Sequence, residues 1–277
     1  MDIYYEYDGS FGGLLCCIYD CYTRREWPSS IFSTGETQTT IYQKHAVITD
    51  YAHAGRIYKS ILSRSPQAAT IVRQAYFTCL ENKEMHILEF VRELYRVGGS
   101  LINKYSDEFV YPLITAVRHM RGETELLRGF VRFSDFGGVL MSEIEPKNRV
   151  LWSLRFHFQS RFADETFMIY DKTHRELLMC SPGKWKIVPV DVFEMSAPDK
   201  KEAAFRRLWK TFYDTIAIKE RENPRGRMTH MPKRYWNTMT EFQNEKYFIP
   251  SEEENRADRL TPASQGGKPE PEKREGL

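Results

Sequence analysis

The 277-residue chain lacks most of the signatures by which a function is read from a sequence. Its five cysteines, Cys16, Cys17, Cys21, Cys79 and Cys180, contain no CxxC pair and no evenly spaced framework, so they read as small buried hydrophobes rather than disulfides. Cys17 and Cys21, four apart, share a helix face. The alternative is a metal or cluster site formed with Cys16, but no third and fourth ligand lie at convincing spacing. No apolar run approaches the roughly 20 residues of a spanning helix; the longest lies around Leu14 to Tyr19. The start, Met1-Asp2-Ile3-Tyr4, has no basic or apolar leader, which leads us to expect a cytoplasmic protein without membrane contact. Net charge is only +2, so any attraction to a polyanion has to come from a local patch. The glycine-containing stretch Asp8-Gly9-Ser10-Phe11-Gly12-Gly13 is followed by no Gly-Lys-Ser/Thr, so it is neither a Walker loop nor a dinucleotide fingerprint. It reads as a turn and a helix N-cap, with an anion held on backbone N–H groups as the alternative.

What is present suits a globular protein. Hydrophobic residues make up 41% and charged residues 28%, with a high aromatic share of 14% spread along the chain. The pattern predicts an α+β fold with a helical N-terminal half, antiparallel hairpins in the middle and a long amphipathic C-terminal helix. A strand over Ile3–Tyr7 leads to a helix that Pro28 stops. Residues 29–40 are polar and loop-like, and a second strand covers 41–48. Asp50 and Ser65 are N-caps, the latter followed by Pro66 at the first helical position. A further helix is expected over about 107–121, with Pro112 in its first turns or kinking it. Phe130-Val131-Arg132-Phe133 and Val139-Leu140-Met141 read as a hairpin across Gly137-Gly138. A helix over 149–162 and strands over 167–171, 176–180 and 186–190 follow. Phe205, Leu208, Trp209, Phe212, Tyr213 and Ile216 recur at helical spacing, as a core face would. The expected organisation is one unit over 1–249, with a sub-boundary near 126, and a disordered charged tail over 250–277.

Candidate chemistry concentrates late in the chain. Between Lys219 and Trp236 there are six Lys or Arg against two Glu. Arg221, Arg225, Arg227, Lys233 and Arg234 are interleaved with Tyr235 and Trp236, a mixture suited to phosphates and bases. A solvated loop anchored by its Trp is the bland alternative. Charge reversal at Arg225, Arg227 and Arg234 is expected to abolish nucleic-acid binding and leave the fold intact. Arg128 and Arg132, four apart at an expected strand start beside Phe130 and Phe133, extend the candidate surface, unless they simply cover the outer face of a half-buried strand. His157 and Arg161 share a helix face. That pair could bind phosphate, and His157 is the weak candidate for a general base. Asp164, Glu165 and Asp171 read as solvent-facing turn residues. None of these constellations amounts to a catalytic site.

Several segments carry a family likeness. They are Tyr7-Asp8-Gly9-Ser10-Phe11, Arg128-Gly129-Phe130-Val131-Arg132-Phe133, Glu143-Ile144-Glu145-Pro146, His157-Phe158, Arg161-Phe162, Ile169-Tyr170-Asp171, Leu208-Trp209, Phe212-Tyr213 and Met231-Pro232-Lys233-Arg234-Tyr235-Trp236. In these the chain resembles an uncharacterised bacterial family described as probable DNA metabolism proteins, a domain of unknown function. The resemblance implies a DNA context and a radical-SAM protein encoded alongside, proposed to repair or modify DNA; some members are fused to a uracil-DNA glycosylase. An iron–sulfur cluster and S-adenosylmethionine would then reside on that partner and no cofactor on this chain. The family pattern has Glu-Ala-His where this chain has Glu123-Thr124-Glu125. The expectation is a DNA-metabolism or repair accessory that engages DNA or the radical-SAM partner through its C-terminal segment. An enzyme acting on damaged or modified bases and a pure protein scaffold are the alternatives.

Overall fold

The computed structural model describes residues 3–35, 41–103, 108, 110–193, 200–216 and 223–242. The tail over 250–277, Lys219 and Arg221 lie outside them.

Helices fill the first half. Ile3–Tyr7 (β1) buries alternate residues and runs into Asp8-Gly9-Ser10, where Gly9 takes a positive φ of 76°. Asp8 Oδ1 accepts from the backbone N and hydroxyl of Ser10, and Ser10 in turn accepts from Gly13 N at 2.9 Å. That reciprocal cap starts Phe11–Arg24 (α1). Its buried face holds Leu14, Leu15, Ile18 and the three cysteines. Burial pushes the Cys21 thiol up to about 12 and raises Cys16 and Cys17 as well, so these are inert packing groups. A Cβ at Gly13 would lie 2.4 Å from Asp8 Oδ1 and 2.9 Å from a Tyr7 ring carbon. Gly13→Ala is therefore expected to cost about 1–3 kcal/mol by overpacking, seen as a lower denaturation midpoint; an unchanged midpoint would contradict this tight turn-to-helix packing.

One strand was not foreseen. Ser30–Ser33 (β2) lies inside the stretch that reads as a loop, and with Gln43–Ala46 (β3) it flanks β1 in a parallel sheet of order β2-β1-β3. Its two central residues, Ile31 and Phe32, are buried, and four residues are too few to show a period against polar neighbours. Tyr51–Arg64 (α2), Pro66–Tyr76 (α3) and Lys83–Val97 (α4) follow, with Asp50 and Ser65 as the expected caps.

Tyr111–Phe130 (α5) is longer than expected. Pro112 sits in its first turn, where no N–H is needed, and the apolar spacing of Leu113, Val117, Met120 and Leu127 carries the helix on. Residues 128 and 130 are therefore helical, residues 131–133 form no strand, and the two-residue Ser134–Asp135 (β4) pairs in place of the expected first hairpin strand. Val139–Ile144 (β5), Thr166–Asp171 (β6), Glu176–Ser181 (β7) and Lys184–Pro189 (β8) complete a five-stranded sheet in sequence order. Its pairings are antiparallel apart from β5–β6, which run parallel because Leu151–Arg161 (α6) crosses between them. Leu113 and Val117 of α5 belong to the first hydrophobic cluster, and Met120 and Leu127 to the second, which lies between α6, the sheet and the C-terminal turns. Asp171 is fully buried rather than solvent-facing: its carboxylate accepts from the backbone N of Thr173 and His174 and pairs with His174 Nδ1 at 2.6 Å, fixing the β6–β7 turn.

Lys200–Ile216 (α7), Pro224–His230 (α8) and two 3-10 turns over Lys233–Thr238 and Thr240–Phe242 end the described chain. No described helix is long and apolar enough to cross a membrane.

Candidate nucleic-acid interface

The C-terminal segment folds inward. Tyr235 is 1% exposed and packs against Phe130 in the second core cluster. Its hydroxyl donates to Glu123 at 3.2 Å, and burial pushes its pKa up to about 12. Trp236 stacks on Phe242 at 4.6 Å and donates its indole N–H to the Met231 carbonyl. Arg234 pairs with Glu123 at 3.0 Å. Tyr235 therefore closes the core here, and Arg234, itself exposed, supplies the cation that the buried Glu123 carboxylate needs. Trp236, half-buried, anchors the segment. Arg227 and Lys233 lie 5.8 and 5.9 Å from its ring centre. Arg225 is exposed near the start of α8.

Glu123 was missed as a functional candidate. On α5, 3% exposed, it accepts from Lys147 N, Asn148 N, Asn148 Nδ2 and Tyr235 Oη, besides its ion pair with Arg234. It thus ties α5 to the β5–α6 connection and to the C-terminal turn. Glu125 faces outward and pairs with Arg128 at 2.6 Å. Nothing in the sequence distinguishes the two glutamates beyond their helical phase, which puts residue 123 in line with Met120 and Leu127.

The arginines named from the sequence converge elsewhere. Arg128, Arg132 and Arg161 line one open cleft of about 1120 Å³ together with Arg206 and the rings of Phe133, Phe162, Phe205, Trp209 and Phe212. Arg128 and Arg132 reach it from a helix end and a loop, not from one face of a strand as expected. Its floor is an aromatic cluster in which Phe133 meets Phe158 and Phe162 edge-on, both at 5.2 Å. The opposite wall is α7. The stripe that reads as a core face is largely open there: Phe205, Leu208 and Phe212 are 58%, 69% and 51% exposed. Tyr213 packs on Phe242 at 5.6 Å, and the Ile216 side chain lies outside the described residues. The reason is attachment. α7 is held through polar links at its edges, where Arg206 bridges Glu202 and Ser134 and Trp209 donates to Glu241 at 3.3 Å, so its apolar stripe meets the cleft instead of a core layer.

Carboxylates restrain most of these cations. Arg132 makes a bidentate pair with the buried Glu241, at 2.6 and 3.1 Å, and lies 5.6 Å from the centre of the Trp209 ring. Arg206 pairs with Glu202, and Arg128 with Glu125. Arg161 at the end of α6 is exposed, and no carboxylate lies in ion-pair range among the described residues. Beside it, His157 has a buried Nε2 without a partner among the described residues. Burial first, then Arg128 and Arg161, hold its pKa below the usual imidazole value. The unfolded chain takes up a proton near pH 6.5 and below, whereas the folded one resists it. Stability is thus present above that value and falls as pH drops toward the depressed folded pKa. His157→Gln is expected to shrink the drop in melting temperature between pH 7.5 and 5.5; an equal drop in both proteins would refute this.

No group of three or more His, Cys, Asp or Glu placed to hold a metal ion occurs among the described residues. No curated protein and no solved structure matches the chain. A family model described as a domain of unknown function (DUF4130) matches residues 81–241, more than half of the sequence and every residue that lines the cleft.

Proposed function

Because the chain belongs to the DUF4130 family, whose description carries no activity, we propose its function from its own surface: it binds single-stranded nucleic acid in the cleft between α7 and the α5–α6 corner, as an accessory of DNA metabolism. The observation that carries this reading is the juxtaposition of exposed rings on α7 with the unpaired Arg161 across one open cleft. Bases offer flat faces to rings whatever their sequence, and a guanidinium at the rim neutralises the backbone between them. A duplex hides those faces, so the geometry selects strands or extruded bases.

The charge arithmetic revises the sequence expectation. Four cleft arginines stand against Glu202, Glu125 and Glu241, a surplus of one positive charge rather than the four of the C-terminal segment. Stacking, not charge, supplies most of the binding. With one or two phosphate contacts the log–log salt slope for a single strand is about −0.7 to −1.4, against about −4 to −5 for six contacts. The test is a salt titration of a fluorescent single strand and of its duplex. A preferred single strand with the shallow slope supports the proposal. No saturable binding, or a steep slope with duplex preference, overturns it.

The open α7 stripe also favours a second reading. A protein would cover Phe205 and Leu208 as well as bases do, and the radical-SAM partner, bringing its iron–sulfur cluster and S-adenosylmethionine, is the proposed occupant. Co-purification of the two proteins after nuclease treatment supports it; loss of the complex with the nucleic acid does not.

A further inference from the structure

A second pocket, sharing no lining residue with the cleft, lies between α1, α2, the end of α3 and the start of α6. It occupies about 420 Å³, within the range of small-molecule sites. Five rings wall it: Phe11 of α1, Tyr51 and Tyr58 of α2, Phe77 at the end of α3 and Trp152 of α6. Phe77 and Trp152 are parallel, with centres 5.9 Å apart. Among these rings sits one cation. Arg73, half-buried, donates to the Tyr58 hydroxyl at 2.5 Å and lies 4.8 Å from the Tyr58 ring centre and 5.9 Å from that of Trp152. No Asp or Glu lines the pocket, and no carboxylate comes within ion-pair range of Arg73 among the described residues. This contrasts with the cleft, where carboxylates hold three of the four arginines.

Gly55 leaves a bare stretch of wall that a large side chain would fill. It lies inside α2, where glycine costs roughly 0.5–1 kcal/mol relative to alanine. A Cβ there would meet nothing within 4 Å, so close packing does not require the glycine. What it does is leave the pocket wall without a side chain.

We propose that this pocket binds a planar aromatic anion of nucleoside-monophosphate size, its ring against the aromatic walls and its phosphate on Arg73. The rings select a flat ligand, and the unneutralised guanidinium selects one bearing a compact anion it can grip with two N–H donors. The ligand comes either as a free mononucleotide or as the terminal nucleotide of a strand, since both present a base and a phosphate.

Calorimetric titration of the full chain with the four deoxynucleoside 5′-monophosphates, the matching nucleosides and a short 5′-phosphorylated strand tests this. Expected are saturable binding of at least one monophosphate and much weaker binding of its nucleoside. Arg73→Gln should weaken the phosphorylated ligand roughly 10- to 100-fold, as loss of charged hydrogen bonds does, and leave the nucleoside unchanged. Gly55→Leu should block all ligands, while Gly55→Ala should fold and bind as the native chain. If Arg73→Gln fails to fold, as circular dichroism would reveal, the two Gly55 variants decide. Tighter binding of the strand assigns the terminal-nucleotide source, and equal or weaker binding the free one; both support the site. Absence of saturable binding by any ligand overturns the proposal, as does binding indifferent to Gly55→Leu. Binding lost in Arg161→Glu but kept in Arg73→Gln would overturn it too, assigning the ligand to the cleft.

Discussion

Replacing Glu123 with alanine is expected to lower the melting temperature by roughly 6 to 20 °C, the consequence of about 3–5 kcal/mol lost when a buried carboxylate is removed and the donors that converge on it are left unsatisfied. The reasoning starts from what remains. Arg234 would keep its charge with no carboxylate beside it. Asn148 would lose the acceptor for both its backbone N–H and its side-chain amide, and Lys147 and Tyr235 would lose theirs. Unsatisfied buried donors cost more than the net worth of the bonds they made. Glu123→Gln, which keeps the shape and an acceptor oxygen but not the charge, should lose about half as much. Thermal melting followed by circular dichroism measures both, and an alanine variant melting within about 2 °C of the native chain would refute the hub, since about 1 kcal/mol moves a chain of this size by that much. The same geometry alters what charge reversal in the C-terminal segment can test. Arg234→Glu would set a second carboxylate beside the buried Glu123 in place of its cation and destabilise the corner, so loss of binding there would not by itself report on an interface. Arg225→Glu, on the exposed start of α8, remains a clean probe.

Trp209→Ala and Phe212→Ala should each weaken single-strand binding by roughly 5- to 140-fold, corresponding to about 1–3 kcal/mol for a stacked base. Their rings lie 5.7 Å apart on α7, both are substantially exposed, and neither belongs to the two core clusters; Trp209→Ala also breaks the link from α7 to Glu241, so Phe212→Ala is the cleaner probe of stacking. Arg161→Glu is expected to weaken binding in a salt-dependent way, its effect shrinking as ionic strength rises; the ring variants should show no such dependence. Fluorescence anisotropy with a labelled strand at low and high salt separates the two. Ring variants that bind as the native chain does would remove stacking on α7 from the explanation.

Much of the fold is legible in the residues because it rests on local rules. Asp50 and Ser65-Pro66 announce helix starts through groups within three residues of the cap, and β6, β7 and β8 announce themselves as short apolar runs separated by turns, the last at Pro182-Gly183. The end of α5 was not legible. Phe130-Val131-Arg132-Phe133 has the residue types of a strand, and only packing on the second core extends the helix through Phe130. The stripe on α7 shows the opposite failure. Its spacing is that of a core face, but spacing specifies that a face is apolar and not what covers it.

The candidate site follows the same division. The sequence by itself determined an α+β chain with a small net charge and a late cluster of cations and rings, since composition and short-range periodicity are properties of the chain alone. Only the tertiary structure decided which cations are free. Glu241 reaches Arg132 across 109 residues, and Glu123 reaches Arg234 across a similar span, while Arg161 at the cleft and Arg73 at the second pocket have no carboxylate in ion-pair range among the described residues. Two of the charges that read as an interface, Arg132 and Arg234, pair with buried carboxylates, while Arg161, Arg225 and Lys233 stay exposed; an ion pair depends on a distance of a few ångströms in space, which no linear spacing encodes.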